Sequence, residues 1–325
     1  MKKFLIIQTA FIGDVILATP LIENLISCFP DSKIDFLLKK GNEALLEGHP
    51  DLNKVLIFDK KNKFKSFLNI INQARKEKYD AVFNLHRFAS SGIITFLSGA
   101  KKKYGFDKNP FSFFYSLSFK HQIGDGTHEV ERNLQVISEV CSSNFVRPKL
   151  FPSQADFEFV SKYKQNEFIC FAPASVWFTK QMPIDKWIEL LQIQNQQGRS
   201  LYLLGGPNDK QLCEEIILKS KVNSVLNLAG KLSFMQSAAL MKDAKMNFVN
   251  DSGPLHFASA MNAPVVAFFC STVPDFGFGP LSEQRQILQV EKLDCRPCGL
   301  HGHKSCPKKH FKCGNDLDLS KIDRF

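Results

Sequence analysis

The chain has 325 residues, and its 44% apolar and 23% charged residues exclude a disordered or collagen-like protein. A chain of this length predicts two domains with separate cores. Lys and Arg outnumber Asp and Glu by 42 to 32, which gives a net charge of +10 spread over both halves of the chain. We therefore expect a broadly basic surface that faces an anionic partner, and no nucleic-acid-binding arm.

The N-terminus begins with Met1-Lys2-Lys3 and an apolar run, which imitates a signal peptide. Gln8 and Asp14 interrupt that run, and Gly13-Asp14 is typical of a turn, so we interpret residues 4–8 as a buried first strand. No window approaches the roughly 20 apolar residues that a membrane span needs. The sequence predicts a cytoplasmic location, with peripheral contact to a membrane surface.

Short apolar runs alternate with helical patterns along the whole chain. In the first half, strands are predicted at residues 4–8, 33–38, 54–58 and 80–85, and helices at residues 15–27 and 65–76. In the second half, strands are predicted at residues 167–171, 200–204, 224–227, 245–250 and 264–269, and helices at residues 184–194, 208–219, 234–243 and 254–261. A polar stretch at residues 145–165, with Pro148 and Pro152, is typical of a hinge. We predict an α/β fold of two doubly wound domains, residues 1–155 and 156–325, facing each other across an active-site cleft.

Four segments at predicted strand ends carry residues suited to chemistry. After the first strand, Gly13 permits a tight turn, and Asp14 is either an ordinary helix cap or a general base at the floor of the cleft. Residues 172–183 offer Ser175, Thr179 and Lys180 to a phosphate, with a solvated loop lysine as the alternative.

The other two segments follow later strands of the second half. Asp209, after a Gly-Gly pair, either caps a helix or accepts hydrogen bonds from a ribose. In residues 250–256, Ser252 and Gly253 lead into a helix whose first amides can bind an anion. Asp251 would be repelled by a diphosphate and should face sugar hydroxyls, while His256 could equally be a satisfied helix histidine.

The nine cysteines form two groups. Five lie in apolar contexts where free thiols pack as small hydrophobes: Cys28, Cys141, Cys170, Cys213 and Cys270. The other four crowd a cysteine-rich segment, residues 295–313: Cys295, Cys298, Cys306 and Cys313. Their composition suits a structural zinc ion, although the spacing is not that of a standard zinc ribbon. Free or redox-active thiols and disulfides stay open as alternatives.

Basic clusters in the first half have phenylalanines beside them. These residues are Lys60, Lys61, Lys63, Lys65, Lys101, Lys102 and Lys103, with Phe64, Phe67, Phe111, Phe113 and Phe114. One interpretation is a surface drawn to anionic lipid, and the other is a solvated basic face above core phenylalanines.

Taken together, the motifs resemble those of glycosyltransferase family 9, the lipopolysaccharide heptosyltransferases, and are most similar to the heptosyltransferase II branch. The motifs are I-x-x-x-x-I-G-D-V-I-x-x-T-P at residues 7–20, W-x-T-K-x-x-P at 177–183, G-G-P-x-D at 205–209, N-D-S-G-x-x-H at 250–256, and Pro-Asp-Phe with Gly-Pro-Leu at 274–281. They occur in the right order over nearly the whole chain, and the resemblance weakens at residues 40–160. Met182 replaces the tryptophan that is commoner before the proline.

The resemblance implies a GT-B fold with two Rossmann-like domains, the first binding the acceptor and the second the nucleotide sugar. It implies inverting transfer of a heptose from ADP-L-glycero-β-D-manno-heptose to a lipid-linked, anionic lipopolysaccharide core, without a catalytic cofactor. Asp14 matches the general base. The matching donor-binding residues are Ser175, Thr179, Lys180, Asp209, Asp251, Ser252, Gly253 and His256. Thr9, Gly13, His128 and Arg132 are weaker candidates for the acceptor, since His128 and Arg132 could also belong to a solvated helix face.

Two other functions remain open from the sequence. A sugar-nucleotide epimerase of the same fold would turn over the donor without an acceptor. A non-catalytic nucleotide-sugar binding protein would release no ADP.

Overall fold

The computed structural model describes residues 1–195 and 198–323. The chain divides into two compact units, Met1–Phe151 and Pro152–Phe325. The boundary expected from the sequence follows residue 155.

The first unit is built on a parallel sheet, of which the described residues contribute six strands. They are β1 (Lys3–Ile7), β2 (Lys33–Lys39), β3 (Lys54–Phe58), β4 (Ala81–Asn84), β5 (Lys102–Phe106) and β6 (Leu117–Phe119), in the order β3-β2-β1-β4-β5-β6. The helices are α1 (Ile12–Leu17), α2 (Pro20–Cys28), α3 (Lys63–Glu77), α4 (Ala89–Leu97) and α5 (Glu129–Gln135). Phe4 to Ile7 of β1 are all buried, as expected for a parallel strand covered on both faces.

The second unit, within its described residues, repeats this plan. Its strands are β7 (Phe168–Ala172), β8 (Ser200–Leu203), β9 (Val225–Asn227), β10 (Met246–Asn250), β11 (Val265–Phe269) and β12 (Arg285–Gln289), in the order β12-β11-β10-β7-β8-β9. The helices are α6 (Gln154–Ser161), α7 (Ile184–Asn195), α8 (Lys210–Ser220), α9 (Phe234–Lys242), α10 (Gly253–Met261) and α11 (Lys312–Asn315).

Both units have the strand order of a Rossmann-like domain, and the predicted α/β fold is confirmed. In each unit the chain runs to one side of its first strand and then returns to the other side. The strand order reverses between β1 and β4 in the first unit, and between β7 and β10 in the second. Crevices at such points, beyond the carboxyl ends of the strands, are where this class of fold binds ligands.

The single helix predicted at residues 15–27 is wrong, because two helices occupy this region. α1 ends at Leu17, and α2 begins at Pro20. Proline has no backbone N–H to continue a helical ladder, but it is well suited to the first position of a new helix.

The hinge predicted at residues 145–165 is also wrong in part, since it contains α6. Ser153 caps this helix by accepting a hydrogen bond from the Asp156 N–H. Val160 is buried, and Lys164 Nζ donates to the carbonyl oxygen of Ala239 at 2.9 Å. The polar residues of this stretch therefore belong to the outer face of α6, a helix that is packed within the second unit.

Two of the five cysteines expected to be free thiols are bonded to each other. Cys28, at the end of α2, forms a disulfide with Cys141, and their Cα atoms lie 5.9 Å apart. Cys170, Cys213 and Cys270 are buried free thiols, as predicted. In the part of the chain that the structure describes, no helix is long and apolar enough to cross a bilayer.

Candidate functional site

In the first unit, polar groups gather where β1 and β4 end. The hydroxyl of Thr9 lies 3.0 Å from Nδ1 of His86, and both side chains are buried. Lys60 Nζ donates to the Thr9 carbonyl oxygen at 3.1 Å. Burial lowers the pKa of His86 to about 4, so the imidazole is neutral at pH 7. His86 directly follows a predicted strand but was not among the predicted site residues. Lys60 was expected either to face anionic lipid or to belong to a solvated basic face.

Asp14 lies in the first turn of α1, and Gly13 precedes it in the same turn. The carboxylate accepts a hydrogen bond from the Phe11 N–H at 3.0 Å, so the helix-cap interpretation describes one of its contacts. A negative charge is favourable at this end of a helix. The second role, that of a general base, stays a prediction.

The helix α5 carries a buried ion pair rather than a solvated face. Nε and Nη2 of Arg132 each lie 2.9 Å from Oε2 of Glu129. Arg132 also donates to the carbonyl oxygen of Thr127. Burial raises the pKa of Glu129 to about 7, and the charge of Asp14 raises it too, while Arg132 acts in the opposite direction.

His128 stands at the start of the same helix. Its Nδ1 accepts a hydrogen bond from the Val130 N–H at 3.2 Å, so the imidazole caps α5. The alternative interpretation of Arg132 as part of a solvated helix face is wrong, because this residue is fully buried. Acceptor binding by His128 and Arg132 stays a prediction.

In the second unit, the ends of β7 and β10 bring together two of the predicted donor-binding residues. Lys180 Nζ lies 2.7 Å from Oδ2 of Asp251. The same carboxylate oxygen accepts a hydrogen bond from the Thr272 hydroxyl at 2.6 Å. The two charged side chains are 16% and 7% exposed, so the pair is largely withdrawn from water but still reachable.

The loop that carries Lys180 is held by Asn250, the last residue of β10. The Asn250 side chain accepts a hydrogen bond from the Met182 N–H at 2.9 Å and donates to the Pro173 carbonyl oxygen at 2.7 Å. Met182 itself is buried in the core of the second unit. Ser175 is partly exposed, and its carbonyl oxygen accepts a hydrogen bond from Gln181 at 2.6 Å.

The N-terminus of α10 lies immediately after Asp251. Ser252 precedes the helix, Gly253 begins it, and Pro254 follows within the first turn. His256 is buried in that turn. The first amides of a helix are donors for an anion. The negative charge of Asp251 is balanced by the neighbouring positive charge of Lys180.

Asp209 stands directly before α8, but its side chain does not cap that helix, so the predicted capping role is wrong. Its Oδ2 accepts a hydrogen bond from the Gly206 N–H at 2.8 Å, in the turn that follows β8. A contact between Asp209 and a ribose stays a prediction.

The four cysteines of the cysteine-rich segment are free, and Cys313 is the buried one. Cys298 Sγ donates to the Cys295 carbonyl oxygen at 3.0 Å. Burial and the neighbouring thiols raise the pKa of Cys298, and raise that of Cys313 to about 11. Across residues 1–195 and 198–323, no group of three or more His, Cys, Asp or Glu side chains is placed to hold a metal ion.

Comparison with known proteins shows which family model and which relatives the chain matches. The model of glycosyltransferase family 9 (heptosyltransferase) matches residues 67–310. The chain is 28% identical over 278 residues to lipopolysaccharide heptosyltransferase 3 of Escherichia coli strain K12, covering 80% of each chain. It is 26% identical over 328 residues to lipooligosaccharide heptosyltransferase 2 of Campylobacter jejuni, covering 99% of this chain and 96% of that one.

Among solved structures, E. coli ADP-heptose lipopolysaccharide heptosyltransferase II is similar with a TM-score of 0.78 and 20% identity, covering 97% of this chain and 98% of that one. A family 9 glycosyltransferase from Veillonella parvula is also similar with a TM-score of 0.78, at 22% identity, covering 88% and 85%. These likenesses show a shared fold.

Proposed function

The chain belongs to glycosyltransferase family 9, and from that premise we propose that it transfers a heptose from ADP-L-glycero-β-D-manno-heptose to the inner core of lipopolysaccharide. The observation that carries the proposal is the Lys180–Asp251 pair, which stands where the strand order of the second unit reverses. Relatives with heptosyltransferase names that align over most of the chain support the substrate class.

The second unit is proposed to bind the nucleotide sugar. Lys180 would contact the diphosphate as a point charge, together with the amides of α10 after Ser252. Asp251 would hold Lys180 in place and accept hydrogen bonds from sugar hydroxyls. As the bond from the sugar to the diphosphate breaks, these groups stabilise the negative charge that develops on ADP. This charge stabilisation comes from the protein's own groups, so the proposal requires no catalytic cofactor.

The first unit is proposed to bind the acceptor and to supply the base. Asp14 would take the proton from the attacking hydroxyl as that oxygen forms a bond to the anomeric carbon. A single displacement of ADP inverts the configuration at that carbon, and one base is enough for it. Thr9, with His86 beside it, would line the acceptor side.

The test of the donor site compares two lysines. Lys180→Ala should weaken ADP binding, measured by calorimetry, by roughly 10-fold or more, because a charge-assisted contact is lost. Lys186→Ala is the matched control, since Lys186 also forms an ion pair with a carboxylate, Glu189, at 3.1 Å, but on the exposed surface of α7. Equal ADP affinities in both variants would exclude Lys180 from the donor site.

We also propose that the first unit rests on an anionic membrane surface. Phe64 and Phe113 are 79% and 73% exposed, and Phe114 is exposed as well, so these rings are not core residues. Phe114 stacks on Phe96 with ring centroids 4.0 Å apart. Lys61 and Lys65 are exposed near Phe64, whereas the side chain of Lys63 lies outside the described part. Exposed aromatic rings beside lysines suit a lipid headgroup layer.

For the cysteine-rich segment, structural zinc remains our proposal from the sequence. Its support is the composition of the segment, in which four cysteines, the preferred ligands of structural zinc, lie at residues 295–313. The thiols would have to draw together around the ion.

A further inference from the structure

Thr179, the residue before Lys180, is held by the cysteine-rich segment. Its side chain was a predicted donor-binding group, but the residue is only 1% exposed. The Thr179 N–H donates to the carbonyl oxygen of His303 at 3.1 Å, and the His303 N–H donates to the Thr179 hydroxyl oxygen at 2.7 Å. This reciprocal pair fixes the backbone from which the Lys180 side chain extends.

Gly302 passes directly beneath the same loop. Its φ is +74°, and a Cβ atom added there would lie 2.8 Å from Thr179 Oγ1, 2.9 Å from Ser271 Oγ and 3.1 Å from Lys180 Cγ. A side chain at this position would therefore push on Lys180 itself. Only glycine allows the segment to approach so closely.

Arg296, near the start of the cysteine-rich segment, is connected through Thr272 to Asp251, the other member of the ion pair. Arg296 donates to the Thr272 carbonyl oxygen through Nη2 at 2.6 Å and Nε at 3.0 Å, and to Gln289 Oε1 through Nη2 at 2.7 Å. The hydroxyl of Thr272 in turn donates to Asp251. Because the guanidinium spans several acceptors at once, it holds Thr272 in one orientation.

We propose that the cysteine-rich segment is a positioning element for the diphosphate site. It sets Lys180 through Gly302, His303 and Thr179, and it sets Asp251 through Arg296 and Thr272. None of these positioning residues needs to touch the substrate. The inference rests on the proposed function of Lys180 and Asp251, and it gives the segment a role that holds whether or not its thiols bind a metal.

Two glycines of the segment provide the test. Gly302→Ala should lower kcat/KM for ADP-heptose by roughly 10- to 100-fold, since small displacements of positioned groups have effects of this size. Gly299→Ala is the matched control: its φ is +66°, but among the described residues no atom lies within 4 Å of an added Cβ. Both variants carry the same kind of backbone strain, but only Gly302→Ala places a methyl group against the loop of Lys180. Only that variant should therefore lower kcat/KM and weaken ADP binding.

Arg296 provides an independent measurement that does not depend on the folding of Gly302→Ala. Arg296→Ala and Asp251→Asn should each weaken ADP binding, and their effects should be clearly less than additive in the double variant, because Arg296 acts through Asp251. Arg296→Lys should recover part of the loss by restoring one donor to Thr272.

The outcomes separate this inference from the proposed function. If Lys180→Ala leaves ADP binding unchanged, the donor site itself is misassigned. If Lys180→Ala weakens binding while Gly302→Ala behaves like Gly299→Ala, or while Arg296 and Asp251 prove additive, the donor site stands and the positioning role is overturned.

Discussion

The ion pair between Lys180 and Asp251 orients a cation before any ligand arrives. Its carboxylate is shared with the Thr272 hydroxyl, so the ammonium group is held by a partner that is itself fixed. A cation that is already oriented need not lose side-chain freedom when the diphosphate binds, which favours affinity. The buried pair thus holds Lys180 ready for the diphosphate contact that we propose for the second unit.

A substitution at Asp14 should affect turnover but not ADP binding. Asp14→Asn keeps the size of the side chain and can still accept the hydrogen bond from Phe11, but it cannot take a proton. Turnover should fall by roughly 100-fold or more, while ADP affinity and thermal stability stay close to those of the wild type. Steady-state kinetics and calorimetry check this, and near-normal turnover would remove Asp14 as the base.

Glu129 makes stability depend on pH. Its pKa in the folded chain is about 7, above the ordinary value of 4.5. The folded chain therefore keeps a proton that the unfolded chain loses, and the resulting stabilisation is present below pH 4.5 and is lost as the pH rises through 7. Asp14, Arg132 and Arg87 are the charges that act on this carboxyl group.

Glu129→Gln should abolish this contribution, because glutamine does not titrate. Relative to the wild type, the variant should gain unfolding free energy on the order of 2 kcal/mol between pH 5 and pH 8. Urea unfolding at both pH values measures the difference. The same difference between wild type and variant at pH 5 and pH 8 would show that Glu129 is already ionised at pH 5.

The residues proposed for the donor site could be found from the sequence, but their contacts could not. Lys180 and Asp251 follow apolar runs that are plainly strands, so the sheet places them at one edge. Their pairing depends on the path of two loops, which no local pattern encodes. The burial of Arg132 was missed for a similar reason, since its partner Glu129 turns an apparently solvated helix into a packed one.

At the scale of elements, the central strands were predictable because parallel strands buried on both faces are continuous apolar runs. No strand was predicted at β5, β6 or β12. β5 begins with two lysines, the first exposed and the second half-buried, and β6 and β12 are the edge strands of their sheets and alternate less clearly. The Cys28–Cys141 disulfide joins residues 113 apart in sequence, and spacing alone could not pair them.

The cysteine-rich segment yields a prediction about metal content. If its four thiols close around zinc, protein purified without chelator should contain about one zinc per chain by elemental analysis. Cys298→Ser should then lose the metal and unfold at a lower temperature, because structural metal binding is coupled to folding. Cys213→Ser is a control at a buried thiol outside the segment. Metal-free wild-type protein with all four thiols titratable would rule zinc out.

At the scale of the whole molecule, the charge of +10 and the exposed phenylalanines predict salt-sensitive membrane binding. The protein should co-sediment with anionic vesicles at low salt and be released at high salt, since each basic residue near the surface contributes about 1 kcal/mol that salt screens. Replacing Phe113 and Phe114 by serine should weaken this association without changing turnover of a soluble acceptor.

The control for that experiment replaces exposed apolar residues of the second unit. Leu218 is 80% exposed and Leu226 is 41% exposed, so Leu218→Ser with Leu226→Ser removes comparable apolar surface elsewhere. Equal vesicle binding by the two double variants would contradict a membrane-facing role for the phenylalanines.

The central claim, heptose transfer to a lipopolysaccharide core, is tested most directly by ADP release. Purified protein with ADP-heptose should release ADP only when a heptose-deficient core is present, one ADP for each heptose attached. Altered sugar without an acceptor would indicate an epimerase, and binding without ADP release would indicate a binding protein. Either result, or ADP release that is independent of the core, would contradict the account.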